Sequence, residues 1–213
     1  MPRLTALLPE PVAESLRAWR ASVRDRREWD AYRRSPQVPP PHVVKVRTIL
    51  EHARRFGTRT LVETGTFEGE MPRKCRGAFD RIFTIELDPG YAARAAHRLR
   101  HLRHIEVLQG DSGARLPELL ARLDASALFW LDGHYSGGLT ARGEKDTPLL
   151  EEIASIAAHG VPGHVVLVDD ARCLGADDYP AYGELERRLR AVPGIERVEV
   201  AADIVRATPR PPA

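Results

Sequence analysis

Residues 59–69, RTLVETGTFEG, join a short apolar strand to a turn that carries an acid and two glycines. The apolar residues before Glu63 predict a buried strand, and Gly65 and Gly69 allow the backbone after it to approach a ligand closely. The stretch lacks the Gly-x-Gly-x-x-Gly spacing of dinucleotide-binding turns, and no P-loop lysine follows it. Because Glu63 precedes the glycines, a phosphate group is disfavoured in this turn.

The segments around this turn alternate between predicted strands and predicted helices, which indicates βαβ units and a mostly parallel sheet. The strands are nearly continuous apolar runs, as expected where helices cover both faces of the sheet. The closing strand-turn-strand breaks the alternation and predicts an antiparallel strand at the sheet edge. Strands are predicted at 59–65, 81–88, 104–111, 127–132, 164–170, 195–200 and 203–208, and helices at 43–57, 70–79, 89–102, 114–124, 147–160 and 182–192.

Residues 1–40 form a separate region, which we predict to be a helical N-terminal arm before a main domain at 41–208 and a frayed tail at 209–213. Its aromatic residues, such as Trp19 and Trp29, follow a roughly helical spacing among many arginines. This mixture is compatible with nucleic-acid binding. A solvated helix that packs on the domain or on a second subunit is favoured instead. We therefore expect no nucleic-acid partner and consider a homodimer formed through the arm.

The composition is that of an ordinary soluble domain, since 43% of the 213 residues are apolar and 29% are charged. The net charge of +2 gives no reason to expect a polyanionic partner for the whole chain. Cys75 and Cys173 lack metal-ligand spacing and are expected to be reduced thiols. No signal peptide or membrane-spanning run is recognised, so a cytoplasmic location is predicted.

Acidic residues follow the first five predicted strands, at the edge where open α/β sheets bind their ligands. A single acid there is ordinarily a turn or helix-cap residue, which is the simplest interpretation of Asp88 and Ser112. Acids after five successive strands repel one another unless hydroxyl groups or a cation lie between them, so they indicate a binding site. They are Glu63, Glu86, Asp88, Asp111, Asp132, Asp169 and Asp170.

The second and third of these strand ends have the chemistry of a nucleoside site. Glu86 lies about twenty residues after the first turn, where an acid can accept hydrogen bonds from two ribose hydroxyls. Asp111 is suited to the amino group of a purine ring. Together with the first turn, they predict a nucleoside ligand that has no pyrophosphate.

The pattern Glu-x-Gly-x-x-x-Gly at 63–69, an acid after the second strand and Gly-Asp at 110–111 resembles the class I S-adenosylmethionine (SAM)-dependent methyltransferases. The resemblance covers residues 42–207 and implies a Rossmann-like three-layer αβα sandwich whose last strand is antiparallel. Phe67 stands where the family often has a glycine. The resemblance implies SAM as the cofactor, bound by Glu63, Gly65, Thr66, Gly69, Glu86, Asp111, Ser112 and Asp132.

The ETGT form of the first motif is similar to the branch that contains metal-dependent O-methyltransferases of sugars in natural products. In that branch, an acid after strand four and an Asp-Asp pair after strand five bind magnesium. The resemblance therefore implies a Mg²⁺ site at Asp132, Asp169 and Asp170. It also implies methyl transfer to an oxygen of a small, hydroxylated, sugar-like or natural-product acceptor.

The stretch ALFWLDGHYSGG at 127–138 places an ionisable pair, Asp132 and His134, directly after a buried strand. Asp132 is expected to ligate the metal and His134 to be the catalytic base, a role that typically contributes roughly 10²–10⁴-fold. Asp132 could instead contact the methionine part of the cofactor or cap the loop, and His134 could be structural. The long loop at 133–147 is expected to close over the acceptor. Tyr135, Lys145 and Arg172 are further candidates for acceptor contacts.

Two other functions compete with methyl transfer. A nicotinamide-dependent oxidoreductase is disfavoured, because Glu63 and Glu68 leave the first turn poorly suited to a pyrophosphate. A non-catalytic SAM-fold scaffold that binds partners through the arginine-rich arm is the alternative that is not an enzyme. A methyltransferase acting on nucleic-acid bases is disfavoured because the Asn/Asp-Pro-Pro-Tyr type of signature is absent after strand four.

Overall fold

The computed structural model describes residues 10–132, 148–176 and 179–212, and its chain divides into two compact units. The first unit, Met1–Lys45, contains helix α1 at Glu10–Arg34. The second unit, Val46–Ala213, contains the sheet. Helix α2 at His42–Phe56 begins in the first unit and continues in the second. The division between the units falls five residues after the predicted end of the arm.

The second unit alternates strands and helices as the sequence predicts. Its strands are β1 Thr60–Thr64, β2 Arg81–Glu86, β3 Ile105–Gln109, β4 Leu128–Leu131, β5 Val165–Val168, β6 Ile195–Ala201 and β7 Ile204–Pro209. Its remaining helices are α3 Glu70–Cys75, α4 Pro89–Leu99, α5 Ser112–Leu120, α6 Leu149–Ala158 and α7 Tyr182–Arg190, with a 3₁₀ turn at Ala171–Cys173.

The seven strands form one sheet in the order β3-β2-β1-β4-β5-β7-β6. Strands β1 to β5 are parallel, whereas β7 is antiparallel to both β5 and β6. This confirms the predicted α/β sandwich with a mostly parallel sheet and an antiparallel last strand. The antiparallel strand does not lie at the edge as expected, however. It lies inside the sheet, because β6 takes the edge and β7 turns back between β6 and β5.

The two faces of the sheet bury separate sets of apolar side chains. On one face, Phe129 and Val166 pack with the apolar sides of α5, α6 and α7. On the other face, Trp130 and Leu167 pack with α2 and α3. Because neighbouring residues of a strand point to opposite faces, each central strand contributes to both layers. The result is a three-layer αβα arrangement.

The chain order reverses between β1 and β4, which are adjacent in the sheet. From β1 the chain moves outward to β2 and β3, and it then returns to β4 on the other side of β1. Such a reversal leaves a crevice at the carboxyl ends of the two strands, which is where open α/β sheets bind ligands. Thr64 and Leu131 are paired at this end of β1 and β4. The acidic residues discussed above therefore converge on one region.

Both cysteines are free thiols, as predicted. Burial raises the pKa of the Cys75 thiol well above its usual value, so Cys75 is an unreactive core residue. No helix within residues 10–132, 148–176 and 179–212 has the length and apolar character needed to cross a membrane.

Candidate active site at the carboxyl edge of the sheet

Glu63 lies near the end of β1 and is buried, with only 1% of the residue exposed. The Thr84 hydroxyl donates to Glu63 Oε2 at 2.5 Å, and the hydroxyls of Thr84 and Thr66 are also 2.5 Å apart. Burial raises the pKa of Glu63 well above its usual value, against the opposing effect of the Thr84 hydrogen bond. Glu63 is thus held beneath the turn by a chain of hydroxyl groups that includes the predicted cofactor residue Thr66.

The turn after β1 adopts the left-handed backbone conformation at three positions, Gly65 (φ 85°), Phe67 (φ 49°) and Gly69 (φ 71°). At Gly69 a Cβ atom would also lie 3.0 Å from Leu99 Cδ1, so a larger residue there would require the Leu99 side chain to shift. Phe67 therefore adopts a backbone conformation that favours glycine. Phe67 is 44% exposed, and the centroid of its ring lies 4.5 Å from the centroid of the Tyr91 ring.

The carboxylate of Glu86 at the end of β2 is fixed by two backbone amides. The Phe67 N–H donates to Oε2 at 2.6 Å, and the Asp88 N–H donates to Oε1 at 3.0 Å. Each oxygen retains a lone pair, since a carboxylate oxygen can accept two hydrogen bonds. Asp88 accepts from the Tyr91 N–H at 2.7 Å as the N-cap of α4, as predicted.

Asp111 is the N-cap of α5, where its Oδ1 accepts from the Ala114 N–H at 3.1 Å. The capping residue is thus Asp111 and not Ser112, which is instead the buried first residue of the helix. The physical reason is that the N-cap must precede the first helical residue while its side chain turns back to a free amide. The binding roles predicted for both residues stay predictions.

Asp132, Asp169 and Asp170 come together at the ends of β4 and β5. Each can offer one carboxylate oxygen such that the three atoms lie within 4.8 Å of one another. The backbone fixes their register, since the Asp132 N–H donates to Thr64 O at 3.2 Å and the Asp169 N–H donates to Leu131 O at 3.0 Å. A set of three carboxylate oxygens suits a hard cation such as Mg²⁺. We call these residues the aspartate triad.

Arg172 brings a positive charge against the aspartate triad. Its Nη1 donates to Asp170 Oδ1 at 2.6 Å and also to Asp203 Oδ2, and its backbone N–H donates to Asp203 Oδ1 at 2.7 Å. Asp203 lies between β6 and β7, 31 residues further along the chain. The sequence predicts Arg172 only as a candidate contact to the acceptor and predicts no role for Asp203.

Glu152 on α6 is a second acid for which no role was predicted from the sequence. It is 1% exposed, and burial raises its pKa to about 7, while the nearby Ser112 and Thr64 hydroxyls partly oppose this increase. Among the described residues its Oε1 has no hydrogen-bond partner at normal distance. A signal existed, because Glu152 shares the buried face of α6 with Leu149, Ile153 and Ile156 at helical spacing.

Tyr179 is a further residue near the aspartate triad. Burial raises the pKa of its phenol, and neighbouring ionisable groups that include Cys173 and Asp170 raise it further. It follows the 3₁₀ turn in an irregular segment, where no periodic pattern marks a residue as buried or functional. Sequence reasoning therefore had no means of selecting it.

His134, Tyr135 and Lys145 lie outside the described residues, together with the remainder of 133–147. The predicted base, the two predicted acceptor contacts and the predicted closing loop therefore stay predictions.

Several solved structures that share this fold are methyltransferases. The O-methyltransferase TomG from Streptomyces achromogenes, in complex with SAM, is 20% identical with a TM-score of 0.57, over 87% of this chain and 89% of that chain. The Podospora anserina methyltransferase PaMTH1, bound to S-adenosylhomocysteine (SAH), is 14% identical with a TM-score of 0.56, over 96% and 98%. This chain has the methyltransferase fold. The O-methyltransferase from Bacillus cereus in complex with SAH gives a TM-score of 0.56 at 14% identity, over 78% and 80%.

No protein-family model and no curated protein sequence matches the chain. The similarity therefore lies in the fold.

Proposed function

We propose that this protein is a SAM-dependent methyltransferase that methylates an oxygen of a small hydroxylated acceptor, sugar-like or from natural-product chemistry, with Mg²⁺ at the aspartate triad. One observation carries the proposal. Three carboxylates converge within 4.8 Å at the ends of β4 and β5, next to the switch point between β1 and β4 of a methyltransferase fold. A small-molecule acceptor follows from the proposed reaction, and the predicted cytoplasmic location and arm-mediated homodimer are part of the same proposal.

For the cofactor, the fixed carboxylate of Glu86 would accept hydrogen bonds from the ribose hydroxyls, and Asp111 would accept from the purine amino group. The exposed Phe67 ring, backed by Tyr91, offers an apolar surface at the same place. Glu63, Gly65, Thr66 and Gly69 would shape the turn, while Ser112 and Asp132 complete the predicted set. When bound, SAM supplies a methyl group on a positively charged sulfur.

Asp132, Asp169 and Asp170 fit a magnesium ion by donor chemistry, since all three are carboxylates and two are buried. The ion would lower the pKa of a hydroxyl bound to it. The chain's own task is to hold the acceptor oxygen in line with the methyl carbon and the sulfur, which is catalysis by proximity and orientation. We assign the removal of the hydroxyl proton to His134, with Asp132 holding the acceptor beside it.

Isothermal titration with SAH, first in EDTA and then in Mg²⁺, tests this proposal on the wild type and on Asp169→Ala. We expect micromolar SAH binding and a Mg²⁺ heat that is lost in the variant. SAH binding without any response to metal would support the methyltransferase function and reject the role of Mg²⁺. Binding of NAD(H) without SAH would favour the oxidoreductase, and binding of neither would favour the scaffold alternative.

A further inference from the structure

The turn between β6 and β7 contains a buried acid whose partners all lie beside the aspartate triad. Asp203 is 8% exposed, and its side chain accepts from both the backbone N–H and the guanidinium of Arg172. Its carbonyl oxygen also accepts from the Ala171 N–H at 2.9 Å. A two-residue hairpin turn ordinarily projects into solvent and needs no buried acid. An acid buried there is costly unless it is paired, so this pairing calls for an explanation.

Asp170 is the residue that this pairing reaches. Its backbone is in the left-handed region, with φ 55° and ψ 45°, a conformation that is uncommon for residues other than glycine. Two groups orient it, since its N–H donates to Asp169 Oδ1 at 2.9 Å and its own Oδ1 accepts from Arg172 Nη1 at 2.6 Å. Fixing Oδ1 also fixes the plane in which the second carboxylate oxygen lies.

The charges explain why Arg172 requires a second carboxylate. A guanidinium paired with Asp170 alone would neutralise that ligand and would oppose a divalent cation at the triad. With Asp203 on the same Nη1, the positive charge is shared between two carboxylates. The Arg172 side chain is 36% exposed, whereas those of Asp170 and Asp203 are each 3% exposed, so the two acids hold the arginine from the buried side.

We propose that Asp203 is a positioning residue of the metal centre, acting through Arg172 to orient the Asp170 carboxylate toward a divalent cation. This inference rests on the proposed function, because it assumes that the aspartate triad binds metal. It assigns a role to the β6–β7 hairpin, which contributes no residue to the triad.

The affinity of the 213-residue chain for Mn²⁺ tests the inference without any acceptor. The concentration of unbound Mn²⁺ is measured by electron paramagnetic resonance. Asp203→Asn is expected to weaken Mn²⁺ binding roughly 10- to 100-fold, the usual effect of losing a group that orients a metal ligand. Glu199→Gln is the matched control. It removes one negative charge from the same hairpin, where Glu199 pairs with Arg197 on the surface, and should change the affinity less than about twofold.

Arg172→Gln, alone and combined with Asp203→Asn, separates positioning from simple charge. If Asp203 acts through Arg172, Asp203→Asn has little further effect once Arg172 is replaced. Equal effects of Asp203→Asn in both backgrounds, or equal effects of Asp203→Asn and Glu199→Gln, would overturn the inference. If Asp203→Asn does not fold, Arg172→Lys replaces it, because lysine keeps the charge but cannot reproduce the planar fork. Unchanged Mn²⁺ affinity in that variant would also reject the inference.

SAH affinity, measured on the same samples, distinguishes this inference from the proposed function. Suppose that the protein binds Mn²⁺, that the effects of Asp203→Asn and Arg172→Gln are not additive, and that SAH does not bind. This result would support the positioning role and reject the methyltransferase function. If the wild type binds SAH but not Mn²⁺, the metal centre and this inference are both rejected. The methyltransferase function would still be supported.

Discussion

Glu152 shows how one buried acid ties the stability of this protein to pH. Its pKa is raised from 4.5 to about 7, because burial in the folded chain disfavours the charged form. Below pH 4.5 the acid is protonated in both the folded and the unfolded chain, so it has no effect on the pH dependence. As the pH rises toward 7, the unfolded chain loses this proton first and the free energy of unfolding falls. The full loss is about 3 kcal/mol.

Glu152→Gln removes this titration while it keeps the shape of the side chain. We expect the variant to gain stability relative to the wild type as the pH increases from 5 to 8, with a change in the difference of up to about 3 kcal/mol. Urea unfolding in EDTA at a series of pH values measures it. A difference that stays constant over this range would show that Glu152 is ionised in the folded protein.

At the scale of the secondary-structure elements, two histidines connect α6 to β5 by a hydrogen bond. His159 follows the last residue of α6, and His164 precedes the first residue of β5. His164 Nδ1 accepts from the Ala127 N–H at 3.0 Å, so its proton lies on Nε2. That nitrogen lies 3.0 Å from His159 Nδ1, and His159 Nε2 lies 3.0 Å from Leu123 O. Both rings can therefore be neutral and fully hydrogen-bonded. Burial, with His159 beside it, lowers the pKa of His164 from 6.5 to about 4.

Acid should weaken this connection between α6 and β5. Because the folded chain keeps His164 neutral, its stabilising effect is complete above pH 6.5 and is lost as the pH falls from 6.5 toward 4. The loss amounts to about 3 kcal/mol. His164→Gln should unfold with a shallower pH dependence over this interval than the wild type, as followed by circular dichroism. Parallel pH profiles for the two proteins would contradict this assignment.

At the scale of the whole molecule, the two units differ in what they contribute to the core. Both buried apolar clusters of the sheet are drawn from residue 46 onward within the described residues. We therefore expect the chain without residues 1–40 to unfold cooperatively still. Its SAH affinity should stay within about twofold of that of the chain with the arm. Analytical ultracentrifugation of both forms tests the arm as a dimer contact. A deleted form that does not fold would show that the arm is part of the core.

Most of the architecture could be predicted from sequence, because the continuous apolar runs of the strands and the turn residues between them are local signals. Acids that follow successive parallel strands must meet at one edge, so Asp132, Asp169 and Asp170 were also predictable as a group. The insertion of β7 beside β5 was not, since a strand's partner is decided by tertiary packing. The pairing of Arg172 with Asp203 depends on that insertion and was therefore out of reach. Glu152 could have been found by placing α6 on a helical wheel.

The interior position of β7 has a consequence for biosynthesis. On the ribosome, β5 is complete well before β7, and until β7 emerges its neighbouring edge has no strand to pair with. Strand β6 cannot join the sheet earlier, because it reaches β5 only through β7. The nascent chain therefore cannot complete its sheet before β7 has been translated. Asp203 can reach Arg172 only when this hairpin has formed, so the proposed metal centre should mature only after β7 has joined the sheet.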